Sequence, residues 1–238
     1  MEARLTDISR EEALRYLGVR GEPDAALRRD LDRCAALLEA GVRPRVCWRL
    51  FRRDEDGNPA GTALSLHGQD IRRFLSGCGQ VILLAATLGA ESESLIRRTQ
   101  NRSMADAVIL DALASAAIEN VCDNLCADLA REFAPLPLTG RFSPGYGDFP
   151  LSLQRDFCEV LNVSRLLGIT LTPGSLMIPQ KSVTALVGLR ADLPAGEGGE
   201  ASGKGGPARA PARTSCTSCA LSHSCAYKFE EGSSCGKQ

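Results

Sequence analysis

The chain has 238 residues, 44% of them hydrophobic and 24% charged, with 28 Lys and Arg against 29 Asp and Glu. That composition fills a core of soluble globular type, and a net charge of −1 excludes the strongly basic face of a general nucleic-acid binder. No stretch approaches the roughly 20 apolar residues of a membrane span, and the opening MEARLTDISREE is too charged for a secretory signal, so the expected compartment is the cytoplasm.

In chain order, residues 10–17 and 25–40 carry helical spacing, the second through Leu27, Leu31, Cys34 and Leu38. Residues 47–52 and 62–66 alternate as strands joined by the polar turn RDEDGNPAG, and 70–77 reads as a short helix. The apolar run at 81–88 reads as a buried strand that stops at Gly89 before a helix over 91–100. Ser103 and Asp106 have capping-box spacing, with Asp in place of the usual Glu or Gln, and open a long alanine-rich helix. That helix ends near Phe133, before Ala134-Pro135-Leu136-Pro137. After the turn RFSPGYGD come a helix near 152–166, the loop LTPGSLMIPQKS and a strand over 183–189. Helices and strands mix without a βαβ beat, which predicts an α+β fold with helices packed on a largely antiparallel sheet.

Composition changes at 191–214, where 15 of 24 residues are Gly, Ala or Pro. Such a stretch buries too little apolar surface to offset its conformational entropy and reads as a linker. It divides the chain into a domain over 1–190 and a cysteine-rich tail over 215–238. Without an export signal the ten cysteines read as thiols or metal ligands rather than a disulfide frame. Cys34, Cys47, Cys78, Cys122, Cys126 and Cys158 lie on or beside predicted elements, where buried thiol is the expected state.

Two patterns in the body bear on function. In RFSPGYGD, Pro144-Gly145 suits the centre of a type II turn, because glycine tolerates the positive φ required there. Arg141 has the geometry to grip a carboxylate, and Tyr146 offers a flat face and a hydroxyl. Along the long helix, Asp111, Ser115 and Glu119 recur at i, i+4 and i+8 as a polar stripe. By pattern alone an ordinary surface turn and a solvated helix face are the simpler readings. No Ser-His-Asp or Cys-His constellation, P-loop or dinucleotide fingerprint is present.

Four stretches in order nevertheless resemble the reactivation domain of cobalamin-dependent methionine synthase: VILLAATLGAESESLIRR, ADAVILDALASAAIENVCDNL, RFSPGYGDFP and EVLNVSRLLGITLTPGSLMIPQKSVTALVG. The third matches that domain's Arg-x-x-x-Gly-Tyr loop at Arg141, Gly145 and Tyr146. The resemblance implies a C-shaped α+β domain that binds S-adenosylmethionine and supports remethylation of a cobalamin held by a partner, either a methionine synthase or another corrinoid protein. It implies Arg141 against the ligand's carboxylate, Glu119 facing its amino group, and the stretch from Phe142 through Gly145 to Tyr146 against its adenosine. It also implies a component of a methyltransferase activity and an electron donor for the reductive step. In the tail, Cys216, Cys219, Cys225 and Cys235 suggest a metal site, preferably an iron–sulfur cluster that would deliver the electron, with zinc or unligated thiols as alternatives. Two other classes stay open: a non-catalytic module that binds S-adenosylmethionine or docks to a corrinoid protein, and an electron-transfer protein acting through the tail.

Overall fold

The computed structural model describes residues 3–190, so the linker and the expected metal ligands Cys216, Cys219, Cys225 and Cys235 lie outside the described residues. Helix α1 (Arg10–Tyr16) is capped by the Ser9 hydroxyl, which accepts from the Glu12 amide at 3.1 Å. Helix α2 (Ala25–Gly41) is capped in the same way by Asp24 on the Leu27 amide at 2.8 Å. The chain then forms β1 (Arg45–Arg52), α3 (Gln69–Phe74), β2 (Cys78–Thr87) and α4 (Ala90–Gln100). The long helix α5 covers Met104–Glu132, followed by α6 (Gln154–Leu161) and α7 (Val163–Leu167). A short hairpin, β3 (Thr170–Leu171) with β4 (Met177–Ile178), precedes β5 (Ser182–Arg190).

The main sheet has the order β1-β2-β5 and both of its pairings are antiparallel, with Leu83 opposite Arg49 on one side and Leu186 on the other. Its centre strand is apolar at successive positions because both of its faces are covered. Val81, Leu83 and Ala85 join a cluster with Phe149, Phe157 and Leu167, while Ile82 and Leu84 meet Leu125 and Leu129 of α5. Every side chain from Val81 to Ala86 is fully buried, and each large one contributes about 1.5–3 kcal/mol relative to leaving it in water. The architecture is therefore α+β, with α5 against one sheet face and α3, α6 and α7 against the other.

The structure departs from the sequence-based expectations in five places. Residues 62–66 form no strand: the Thr62 hydroxyl donates to the Pro59 carbonyl and accepts from the Leu64 amide, and Leu66 donates its amide to the Asn58 side chain. Those local bonds take the backbone groups a ladder would use. The helix expected near 152–166 breaks into α6 and α7 at Asn162, which adopts left-handed φ 52°. The β3–β4 hairpin starts one residue before the loop LTPGSLMIPQKS and turns within it, and α3 stops at Phe74 rather than reaching Gly77. At the start of α5, Ser103 does accept from the Asp106 amide at 3.2 Å, but the Asp106 carboxylate takes two hydrogen bonds from Arg33 of α2 instead of closing the box. That pairing holds the Asp106 carboxyl below its ordinary range. Of the six body cysteines, all but the half-buried Cys47 are buried.

Candidate functional site

Residues 138–142 run along the outer edge of β5. Leu138 bridges to Leu189, Phe142 exchanges two backbone hydrogen bonds with Leu186 at 3.0 and 2.8 Å, and Thr139 donates to the Gly188 carbonyl at 2.9 Å. This extended segment closes an otherwise open sheet edge, advancing four residues against three of β5 between its two bridges, and its adjacent residues Arg141 and Phe142 point to opposite faces. Phe142 accordingly enters the cluster with Leu83 and Phe149, while its neighbour Arg141 turns toward α5.

On α5, the Arg141 guanidinium meets two carboxylates one helical turn apart. Nη2 donates to Glu119 Oε2 at 2.7 Å and Nη1 to Asp123 Oδ1 at 2.6 Å, with Cys126 Sγ 3.9 Å from Nη1. The Arg141 side chain is only 15% exposed, against 32% for Glu119 and 45% for Asp123, so the cation lies beneath its two acids. Burial works against the charge on Arg141, but the Asp123 and Glu119 carboxylates beside it hold its pKa above the ordinary value. Burial also pushes the neighbouring Cys122 thiol up, which keeps it neutral. Arg141 and Glu119, expected to serve separate groups of a ligand, are thus partners of each other.

Asp123 escaped the sequence reading. The signal was available, since it continues the i+4 recurrence of Asp111, Ser115 and Glu119 by one more step. The other end of that stripe takes a cation as well: Lys181 Nζ lies 2.8 Å from Asp111 Oδ1 and 2.9 Å from Ser115 Oγ, and Lys181 is 14% exposed beneath an Asp111 that is 54% exposed. The expectation of a plainly solvated face is therefore corrected, because each end of the stripe clamps a part of the chain that returns from the sheet. A cleft of about 260 Å³ opens at the Lys181 end, between α4 and α5, and none of the five expected ligand residues lines it.

The turn after Arg141 has the expected form. Tyr146 donates its amide to the Ser143 carbonyl at 3.1 Å with Gly145 at φ 93°, as a type II turn requires. Two further bonds, Gly145 N to Phe149 O at 2.8 Å and Phe149 N to Tyr146 O at 2.9 Å, fold the next residues back. Asp148 then reaches the N-terminus of α3, where its carboxylate accepts from the Gln69 amide at 2.5 Å and the Asp70 amide at 3.0 Å. Helix α3 has only Gly68 at its own N-cap, so this remote carboxylate supplies the cap. The approach is close: a Cβ on Gly68 would lie 2.5 Å from Asp148 Oδ1. The result is a turn pinned at both ends, with Tyr146 56% exposed at its tip and its ring 6.1 Å from that of Phe142. Asp148→Ala is expected to lower stability by about 0.5–2 kcal/mol, the cost of a lost N-cap, with Asp148→Asn recovering most of it. Denaturant titration of the two variants checks this, and equal losses would mean that the cap is not what the carboxylate provides.

The fold defined by these elements is an α+β domain with a three-stranded antiparallel sheet, whose edge segment delivers an arginine to an acidic helix face. No family model and no curated protein matches the chain. Among solved structures it is similar to the crystal structure of the MetH reactivation domain bound to AdoHcy, with a TM-score of 0.56 and 18% identity over 76% of this chain and 73% of that one. At that identity the likeness shows the fold alone, and it bears out the fold class expected from the residues. Among the described residues, no group of three or more His, Cys, Asp or Glu side chains is placed to hold a metal ion, and no helix is long and apolar enough to cross a membrane.

Proposed function

We propose that the chain is an S-adenosylmethionine-binding activation component that supports reductive remethylation of cob(II)alamin on a cobalamin-dependent methionine synthase or a related corrinoid methyltransferase. The observation that carries this reading is the cluster of Arg141, Glu119 and Asp123, formed by the same segment that leads into the pinned Gly145–Tyr146 turn. The cluster stands in a fold similar to a domain solved with AdoHcy.

The donor set fits the amino-acid end of such a ligand. Arg141 takes the ligand carboxylate when one of its two acids moves aside, and the released acid takes the ligand ammonium, so no charge is left unpaired by the exchange. Asp123, the more exposed of the two, is the acid more easily displaced. Gly145 lets a ligand approach the backbone closely, and the exposed Tyr146 ring offers an apolar face with a hydroxyl at its end. Bound S-adenosylmethionine supplies an electrophilic methyl group, and this chain's residues hold and orient it. The electron is assigned to a separate donor or to the Cys216, Cys219, Cys225 and Cys235 segment.

The test is calorimetric titration of S-adenosylmethionine into the purified chain, followed by assay of methylcobalamin formation with a cobalamin-loaded corrinoid protein and a chemical reductant. Saturable binding with methylcobalamin formed supports the reading. Binding without methylcobalamin formation would reduce the chain to a sensing or docking module. Absence of binding in both the presence and absence of the corrinoid protein would overturn it.

A further inference from the structure

Strand β1 stands at the edge of the main sheet opposite the 138–142 segment. Just past its end the Arg53 amide donates to the Gly79 carbonyl of β2 at 3.1 Å. In that register the odd-numbered residues of β1 turn their backbone groups toward β2, and Val46, Trp48, Leu50 and Arg52 turn theirs outward. The Arg52 carbonyl accepts from the Ala60 amide at 2.8 Å, but the backbone groups of Val46, Trp48 and Leu50 have no hydrogen-bond partner among the described residues.

The side chains along this edge select what can pair with it. Trp48 is half-buried, edge-on to Phe133 at 5.8 Å, and Leu50 on the same face is exposed. Arg45, Arg49 and Arg52 are exposed along the strand, and none forms an ion pair among the described residues. That charge disfavours a second copy of β1 and favours an extended segment carrying acids beside apolar side chains. Beyond Arg190 one stretch has this character, Ala226-Tyr227-Lys228-Phe229-Glu230-Glu231, which holds the only Phe, Tyr or Trp residues there and alternates them with charge.

We infer that residues 226–231 dock on the outer edge of β1 as an added antiparallel strand. The tether permits it. Strand β5 ends at Arg190, opposite Cys78 and at the same end of the sheet as Arg52. From there the docking position is three strand spacings away, roughly 15 Å. A coil of Gly-rich composition as long as 191–225 reaches roughly 33 Å. A segment entering from that end runs antiparallel to β1. Setting Phe229 opposite Leu50 then sets Glu230 opposite Arg49, an apolar pair on one face and a charge pair on the other. Docking there holds Cys225 at the sheet edge opposite the one that carries Arg141.

The experiment is residue-resolved amide hydrogen exchange on the full chain and on Phe229→Pro, at two protein concentrations. Emission from Trp48, the chain's one tryptophan, is recorded alongside. The clusters that pack residues 3–190 do not use Phe229, so the substitution leaves that packing intact. In the unaltered chain the Val46, Trp48 and Leu50 amides should exchange about tenfold more slowly than in Phe229→Pro. That ratio corresponds to a tethered segment at an effective concentration on the order of 1 mM with an affinity of about 0.1 mM. Trp48 emission should move to the red in the variant. The Cys47, Arg49 and Phe51 amides face β2 and should be equally slow in both proteins, which makes them the internal control. Equal exchange of the three outward amides in the two proteins would overturn the inference, whether fast because the edge is empty or slow because another segment covers it. Protection that develops only at the higher concentration would also overturn it, by assigning the edge to a second copy.

Discussion

Replacing Arg141 by alanine is expected to weaken S-adenosylmethionine binding by about 1.5–3 kcal/mol, the range for hydrogen bonds to a charged group. The same change should lower the stability of the free protein by about 1–3 kcal/mol, because partly buried acceptors lose their donor. Both effects follow from the cluster's geometry. Glu119 and Asp123 stand at i and i+4 on α5, where like charges repel, and the guanidinium bridges them at 2.7 and 2.6 Å. Its removal leaves two acids facing each other and unfastens the edge segment 138–142 from the helix. Arg141→Lys separates the two roles. A lysine restores one positive charge beside the acids, so stability should largely return, but a single ammonium cannot span both carboxylates and also present a fork to the ligand. Affinity should therefore recover less than stability does. Calorimetry and denaturant titration on the three proteins would check this, and ligand affinity unchanged in Arg141→Ala would remove Arg141 from the site.

The parts of this structure that could be read from sequence are those fixed by local pattern. The run from Val81 to Leu88 announced a buried strand, and its place at the sheet centre explains why it is apolar on both faces. The alanine-rich periodicity and the Ser103 cap marked α5, and the Pro144-Gly145 pair marked its turn type. What was not legible depends on residues far apart in the chain. Asp148 caps a helix 79 positions earlier, and Lys181 closes on Ser115 across 66 positions. Nothing in the local spacing of either residue names its partner. The Asn162 break is a different case. A left-handed asparagine lets one amphipathic stretch pack as two helices, and periodicity alone carries across it. The missing strand at 62–66 shows the converse, with threonine and asparagine side chains capturing backbone groups that alternation had assigned to a ladder. Asp123 lies between these cases. Its position on the stripe was visible, but its role was not, because an acid four residues from another acid reads as a solvated face until the arginine that joins them is placed.

Phe142→Ala should produce the larger loss of stability, about 3–5 kcal/mol, the usual cost of truncating a buried phenylalanine. The ring is 7% exposed and sits among three others, with centroids 4.9 Å from Phe74, 6.0 Å from Phe149 and 6.1 Å from Tyr146. Those contacts join α3, the edge segment and the turn into one body, so a cavity there loosens everything that positions Tyr146. The backbone pairing of Phe142 with Leu186 survives the change, and with it the direction in which Arg141 points. The two substitutions therefore have different signatures despite their adjacency. Arg141→Ala should lower affinity and stability together, while Phe142→Ala should act chiefly on melting temperature, and saturating S-adenosylmethionine should raise the Phe142→Ala midpoint because the ligand binds only the folded form. Phe142→Leu, which keeps most of the buried volume, should lie much nearer the unaltered protein. A Phe142→Ala protein that melts unchanged would mean that the edge segment is anchored by its hydrogen bonds alone, and the pinned turn would then owe its order to Asp148 rather than to the aromatic cluster beneath it.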